Sequence, residues 1–203
     1  MLRKLAFAAV SLALVSLAHA QEKGFISLFD GKTLDNWKIS GDPAAFKVED
    51  GAIVTHGDCA HAFYAGKEKD AKFRNFELRL DVMTEKSANG GVYIHTSFQD
   101  GGWPAKGYEV QVNNTHPDWR KTGSLYSVVD NKEPFKDDEW MKYVVRVKDG
   151  KISITVNDKK LLVDYTPEQG KSKLQAEGGT IALQAHDKGS VVHYKNIRIQ
   201  PLD

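Results

Sequence analysis

The chain has 203 residues, of which 41% are hydrophobic, and its 28 basic residues nearly balance 27 acidic ones. This composition is sufficient for a sizeable core, so it argues against an intrinsically disordered chain. There is no basic surplus to neutralise a phosphate backbone, which argues against nucleic acid as a partner. A single cysteine, Cys59, excludes an internal disulfide and a cysteine-rich zinc site.

Residues 1–20 have the pattern of a secretory signal peptide. Two basic residues precede an apolar run over 5–17, and Ala18-His19-Ala20 then provides small residues before a cleavage point. The apolar run is too short to span a bilayer. We therefore predict a leader over 1–20, a single domain over 21–203, and a periplasmic or secreted protein with no membrane contact after cleavage.

The rest of the chain alternates apolar and polar residues, with turn signals at short intervals. The clean alternation over 76–82 predicts a strand with one face on a core. Segments 143–147 and 152–156 are joined by Asp149-Gly150, which predicts a β-hairpin.

The same pattern continues to the end of the chain. Asn157-Asp158 predicts a second turn, 166–179 reads as a loop, and 180–186 and 190–199 read as two closing strands. The sequence therefore predicts an all-β fold of two packed antiparallel sheets.

The middle strands carry side chains that form hydrogen bonds in fixed directions. Residues two apart on a strand share a face, at roughly 6.5–7 Å spacing. The pairs and triplets that share a polar face are Tyr93 with His95, Glu109 with Gln111 and Asn113, and Gln184 with His186. Such residues suit the recognition of sugar hydroxyls, and aromatic rings such as Trp103 and Trp119 in flanking loops could close over a sugar.

The remaining histidines have a structural interpretation. His56, His61 and His116 lie near turns, where we expect them to be solvated. His193 lies on a closing strand, where we expect it to pack or to face solvent.

Seven segments resemble, in order, the 3-keto-disaccharide hydrolase domain family, formerly a domain of unknown function. They include GFISLFDGKTLDNW at 24–37, FKVEDGAI at 46–53, NGGVYIH at 89–95, GYEVQV at 107–112, TGSLY at 122–126, IALQAH at 181–186 and KNIRI at 195–199. The resemblance implies a concanavalin A-like jelly-roll sandwich whose concave face binds sugar. It also implies an enzyme that cleaves the glycosidic bond of 3-keto-glycosides or 3-keto-disaccharides.

The chain departs from the family pattern at four positions. Gly90 stands where serine is frequent, Asp187 where glycine is frequent, and Lys195 where arginine is usual. At His95 the family commonly has arginine, so a fixed cation is replaced by a group that titrates near neutral pH.

The chemistry of a 3-keto sugar requires one positioned base. The ketone acidifies the C2 proton, so a base can form an enolate, the anomeric group can leave, and water can add back. We predict Glu109 or His95 as the base and His186 as a proton donor or electrophile. The predicted sugar-binding residues are Tyr93, Gln111, Asn113, Tyr126, Gln184, Trp103 and Asp81.

Several alternatives stay open. A retaining glycosidase needs two carboxyls about 5–5.5 Å apart, which Asp81 could complete by approaching Glu109. The sequence requires no cofactor, although Glu109, His95 and His186 could hold a divalent metal. A non-catalytic carbohydrate-binding module would use the same face, and a laminin-G-like adhesion domain would predict a calcium site. The expected partner is a small carbohydrate, and no oligomeric state is predicted.

Overall fold

A computed structural model describes residues 22–203, so the predicted leader over 1–20 lies outside the described residues. The described part contains two short 3₁₀ helices, Pro43–Ala45 and Glu68–Ala71, and none of its helices is long and apolar enough to cross a membrane. Its strands are β1 (Ile26–Ser27), β2 (Trp37–Ser40), β3 (Phe46–Glu49), β4 (Ala52–His56), β5 (Ala60–Tyr64), β6 (Phe76–Thr84), β7 (Asn89–Thr96), β8 (Tyr108–Asn113), β9 (Met141–Lys148), β10 (Lys151–Val156), β11 (Lys159–Tyr165), β12 (Thr180–Ala185) and β13 (Val191–Pro201).

The strands form two packed antiparallel sheets. The larger sheet has the order β11-β10-β9-β6-β13-β4-β3, and β1 also pairs with β13. The five-stranded sheet has the order β2-β5-β12-β7-β8. The predicted all-β sandwich is therefore confirmed.

The core consists of side chains that alternate inward from both sheets. On β6, Phe76, Leu78, Leu80 and Val82 are buried, while the residues between them are half-buried. Ile181 and Leu183 of β12 meet this cluster from the other sheet, although β12 is buried throughout. Burying a side chain of this size contributes roughly 1.5–3 kcal/mol, so these residues determine which face of each strand is inner.

Turn chemistry connects the outer strands as predicted. Asp149 and Gly150 have φ values of 50° and 76° between β9 and β10, and Asn157 and Asp158 have 49° and 64° between β10 and β11. A type I′ hairpin turn requires positive φ at both central residues, which Gly, Asn and Asp tolerate.

An irregular segment extends the free edge of β8. The amide of Tyr126 donates to the carbonyl of Glu109, and the amide of Gly123 donates to that of Gln111. The amide of Gln111 donates in turn to the carbonyl of Ser124. These bonds hold Tyr126 beside Glu109 at the edge of the five-stranded sheet.

Candidate functional site

On the outer face of the five-stranded sheet, residues that pair between neighbouring strands form two rows across the sheet. Neighbouring strands lie roughly 4.8 Å apart. The strand register aligns Ser40, His61, Gln184, Gly91 and Gln111 in the first row, and Lys38, Phe63, Ala182, Tyr93 and Glu109 in the second. The structure thus brings Tyr93, Gln184 and Glu109 together.

Glu109 is a half-buried carboxyl group on this face. The Tyr93 hydroxyl donates to its Oε2 at 2.9 Å, and Gln184 Nε2 donates to its Oε1 at 3.0 Å. Burial raises the pKa of Glu109 to about 7, although these two hydrogen bonds act to lower it. At neutral pH the carboxyl group is therefore populated both as acid and as base, which suits a general base.

Gly91 provides the space that Glu109 occupies. A β-carbon on Gly91 would overlap the Oε1 and Cγ atoms of Glu109. The backbone of Gly91 is not in the left-handed region, so glycine is needed here for side-chain space rather than for backbone conformation.

His61 lies on the same face and is fully buried. Neither of its ring nitrogens has a hydrogen-bond partner in the described structure. Its ring meets those of Tyr93 and Trp103 edge-on, at centroid distances of 5.3 and 5.6 Å. Burial, and to a lesser extent the nearby His186, lowers the pKa of His61 to about 4, so the ring is neutral at neutral pH.

The prediction that His61 is solvated is therefore wrong. The signal that could have revealed it is the alternation Ala60-His61-Ala62-Phe63, in which His61 and Phe63 share one face of a strand.

A second polar group surrounds His186, directly after β12. Its Nδ1 lies 2.7 Å from Asp187 Oδ2, and its Nε2 lies 3.3 Å from Asn89 Nδ2. Asn89 accepts from Gln111 Nε2 at 2.6 Å and also lies 3.5 Å from His116 Nδ1. His116, expected to be solvated, is instead a half-buried member of this group.

Asp187 orients the His186 ring as an ionised partner. Burial acts to raise the pKa of Asp187, but hydrogen bonds from His186, Ser190 and the Gly189 amide outweigh burial and lower it.

Trp103 lies between His61 and the polar group around His186. Its ring lies 5.6 Å from His61 and 5.3 Å from His186, and it remains 49% exposed. Gln99 Nε2 holds the loop by donating to two of its carbonyls, including that of Trp103. A predicted ligand-covering ring thus lies over the candidate site.

Asn113 does not present its amide to a ligand. Its Nδ2 donates to the carbonyls of residues 118 and 120, at 2.9 and 2.8 Å. These bonds position Arg120, whose guanidinium lies 4.2 Å from the ring centre of Trp119 and 4.5 Å from that of Tyr126. Asn113 is therefore placed as a support for this loop.

His95 lies outside the candidate site, so the prediction that it shares a face with Tyr93 is wrong. Between their paired ends, β7 has one residue more than β12, and His95 has a φ of 53° at this bulge. Its ring stacks on Phe76, and its nitrogens lie 2.9 Å from the Arg74 carbonyl and 3.1 Å from the Gln175 amide. Burial lowers the pKa of His95.

Asp81 is also outside the site, because β6 belongs to the other sheet. Its side chain is on the outer face of that sheet, where it accepts a hydrogen bond from Asn196 at 2.6 Å. Asp81 therefore does not approach Glu109 as a second carboxylate.

The metal-ligand set considered from the sequence does not converge. Glu109 and His186 face outward from the five-stranded sheet, whereas His95 is bonded to Arg74 and Gln175. Across residues 22–203, no three His, Cys, Asp or Glu side chains are grouped so as to hold a metal ion.

A cavity of about 540 Å³ flanks the site on the β2 and β5 side. Lys38, Phe63, Thr96 and Phe98 are among the residues that line it. The Lys38 ammonium lies 3.6 Å from the ring centre of Phe98, which packs edge-on against Phe63 at 5.4 Å. Glu109 does not line this cavity, which adjoins the candidate site.

Comparisons with known proteins point to one family. A protein named 3-keto-disaccharide hydrolase, from Bacteroides thetaiotaomicron, is 28% identical over 233 residues, covering 89% of this chain and 79% of that protein. A crystal structure described as a candidate glycosyl hydrolase, from Parabacteroides distasonis, superimposes with a TM-score of 0.72 at 26% identity, covering 89% of this chain and 94% of that one.

A carbohydrate-binding module, CBM66 from Bacillus subtilis, shares the fold with a TM-score of 0.59 at 11% identity, covering 81% of this chain and 95% of that one. The family model described as the 3-keto-alpha-glucoside-1,2-lyase-like domain matches residues 24–200. Because this match spans nearly all of the described residues, the chain belongs to the 3-keto-alpha-glucoside-1,2-lyase-like domain family.

Proposed function

We propose that this protein is an exported enzyme that cleaves the glycosidic bond of 3-keto-glycosides or 3-keto-disaccharides, with Glu109 as the base. The observation that carries the proposal is the packing of the half-buried Glu109 against Tyr93 and Gln184, where desolvation raises its pKa to about 7. Family membership and the named relative from Bacteroides thetaiotaomicron support a 3-keto sugar as the substrate class.

In the first step, the Glu109 carboxylate removes the C2 proton and becomes a carboxylic acid. The electron pair left at C2 delocalises onto the C3 carbonyl oxygen, which gives an enolate. A base whose pKa is near the working pH combines a large ionised fraction with sufficient basicity. Hydrogen-bond donors at the developing oxyanion lower the barrier further.

In the second step, the enolate collapses, the C1–O bond breaks and a double bond forms between C1 and C2. We assign protonation of the leaving oxygen to His186, whose Nδ1 is paired with Asp187. Water then adds its hydroxyl to C1, its proton restores His186, and Glu109 returns its proton to C2. The net reaction is hydrolysis, and both residues regain their starting protonation.

Sugar contacts are proposed for the residues that surround Glu109 on the same face. Tyr93 and Gln184 bond to Glu109 directly. Trp103 covers the site, while Gln111 and Tyr126 flank Glu109 along β8 and its edge segment. The position of Asp81 on the other sheet does not support a two-carboxylate glycosidase.

The deciding experiment incubates residues 21–203 with a 3-keto-glucoside and with its unoxidised parent, each with and without a chelator. Release of the aglycone from the keto sugar only, and its loss in Glu109→Gln, are the expected results. The exposed Glu168→Gln is the matched control and should retain activity. Activity lost with chelator would add a divalent metal to the mechanism.

Two other outcomes would contradict the proposal. Cleavage of both sugars would indicate an ordinary glycosidase. Binding of sugar without cleavage of either would indicate a carbohydrate-binding module. Export is tested separately, by sequencing the amino terminus of the protein recovered from the periplasm or medium.

A further inference from the structure

The first row of the outer face contains buried polar atoms that lack hydrogen-bond partners in the described structure. They are both ring nitrogens of His61, Oε1 of Gln184 and Oε1 of Gln111. Buried polar groups in folded proteins are nearly always paired. Several unpaired atoms aligned in one row therefore mark a place where the polar groups of a ligand complete the hydrogen bonding.

His61 and Glu109 share two neighbours, Gln184 and Tyr93, on the outer face. Gln184 is the cross-strand neighbour of His61, and its amide donates to Glu109 at 3.0 Å. Tyr93 also connects the two, because its ring contacts that of His61 and its hydroxyl donates to Glu109. A sugar seated on Gln184 and Tyr93 would thus lie next to both the Glu109 carboxyl group and the His61 imidazole.

We infer that His61 donates a hydrogen bond to the C3 carbonyl oxygen of a bound 3-keto sugar and stabilises the enolate oxygen as the C2 proton is removed. This inference rests on the proposed function of Glu109. The C3 carbonyl carbon is bonded to C2, so a base at C2 and a donor to the C3 oxygen act on neighbouring atoms of one sugar.

The state of the His61 ring fits this role. Because burial keeps it neutral at neutral pH, one of its nitrogens carries a hydrogen and the other does not. A neutral imidazole is an established kind of electrophile for enolisation. Neither nitrogen is committed to a partner in the described structure.

Trp103 controls access to His61. Its ring packs edge-on against His61, which is fully buried, while Trp103 itself is half exposed. Gly101 and Gly102 precede it with φ values of 76° and 67°. A sugar that reaches His61 therefore displaces the Trp103 ring, which is then free to pack on the sugar.

The first test is His61→Phe, which keeps an aromatic ring between Phe63, Tyr93 and Trp103 but removes both nitrogens. The expected result is a fall in kcat of about 100-fold on the 3-keto-glucoside, with an unchanged or higher melting temperature. The control is His56→Phe, at the exposed end of β4, which should retain activity. Unchanged kcat in His61→Phe would overturn the inference.

The second test measures binding without turnover, in the Glu109→Gln background. Calorimetry should show that this variant prefers the 3-keto-glucoside to its unoxidised parent, and that adding His61→Phe reduces the preference about tenfold. An undiminished preference would overturn the role of His61 and leave that of Glu109 intact. Binding of neither sugar by Glu109→Gln, together with no cleavage by the unsubstituted protein, would overturn the proposed function and this inference with it.

Discussion

The Glu109 side chain lies directly against the backbone of Gly91, in the space that a β-carbon would occupy. A β-carbon on Gly91 would overlap Oε1 and Cγ of Glu109, so the carboxyl group would shift from the position in which it bonds to Tyr93 and Gln184. Because Gly91 has no side chain, the proposed base can occupy this position.

Gly91→Ala tests this relationship directly. We expect kcat on a 3-keto-glucoside to fall by about 100-fold, because small displacements of a reacting group have effects of this size. The free energy of unfolding should decrease by about 1–3 kcal/mol, the usual effect of overpacking. Steady-state kinetics and urea unfolding measure the two effects, and an unchanged kcat would show that Glu109 tolerates the displacement.

The pH profile of kcat/KM should report the ionisation of Glu109. Activity is expected to rise with pH through about 7, because the base acts as a carboxylate. The charge of Arg120 acts to lower the pKa of Glu109. Arg120→Gln should therefore shift the acidic limb to higher pH, whereas the exposed Arg146→Gln on β9 should leave it in place. A limb that moves in both variants, or in neither, would refute this electrostatic coupling.

Glu109 and His61 should have opposite effects on stability across the same pH range. The pKa of Glu109 is about 7 in the folded protein against a usual 4.5, so its contribution is lost as pH rises from 4.5 to 7. The pKa of His61 is about 4 against a usual 6.5, so its contribution is lost as pH falls from 6.5 to 4. Each effect is on the order of 3 kcal/mol.

Single substitutions should separate the two pH dependences of the free energy of unfolding. Glu109→Gln leaves the His61 effect, so the free energy of unfolding should rise with pH between 4 and 6.5. His61→Phe leaves the Glu109 effect, so the free energy of unfolding should fall as pH rises from 4.5 to 7. Urea unfolding at half-unit intervals of pH measures both, and slopes of the same sign in the two variants would contradict the prediction.

Asp187→Asn should impair the proposed acid without removing it. The carboxylate accepts from His186 Nδ1 at 2.7 Å, and its loss would leave the ring less well oriented for proton transfer. We expect kcat to fall by at least about tenfold with little change in KM. Aglycones with a low pKa need less protonation when they leave, so the defect should shrink with such substrates. An equal defect for good and poor leaving groups would reject His186 as the proton donor.

The local pattern of the sequence was sufficient for most of the strands. Alternation over 76–82 predicts the inner face of β6, and Asp149-Gly150 and Asn157-Asp158 predict the turns on either side of β10. These features can be predicted from the sequence because side-chain alternation and positive-φ turns depend on residues that are adjacent in the chain.

The candidate site required the tertiary structure. Glu109, Tyr93 and Gln184 share their predicted face, but His95 is turned away by a bulge created by one extra residue in β7. Asp81 is separated from Glu109 because β6 pairs into the other sheet.

His61 is the opposite case, a residue that the sequence did not assign to the site and that the tertiary structure places in it. Its neighbours in the chain suggest a turn, yet it is fully buried among Tyr93, Trp103 and Phe63. The sequence by itself determined the strands, their inner faces and the family, because these follow from local alternation, turn residues and ordered motifs. Only the tertiary structure decided which polar side chains meet, because pairing between distant strands sets register, bulges and sheet membership.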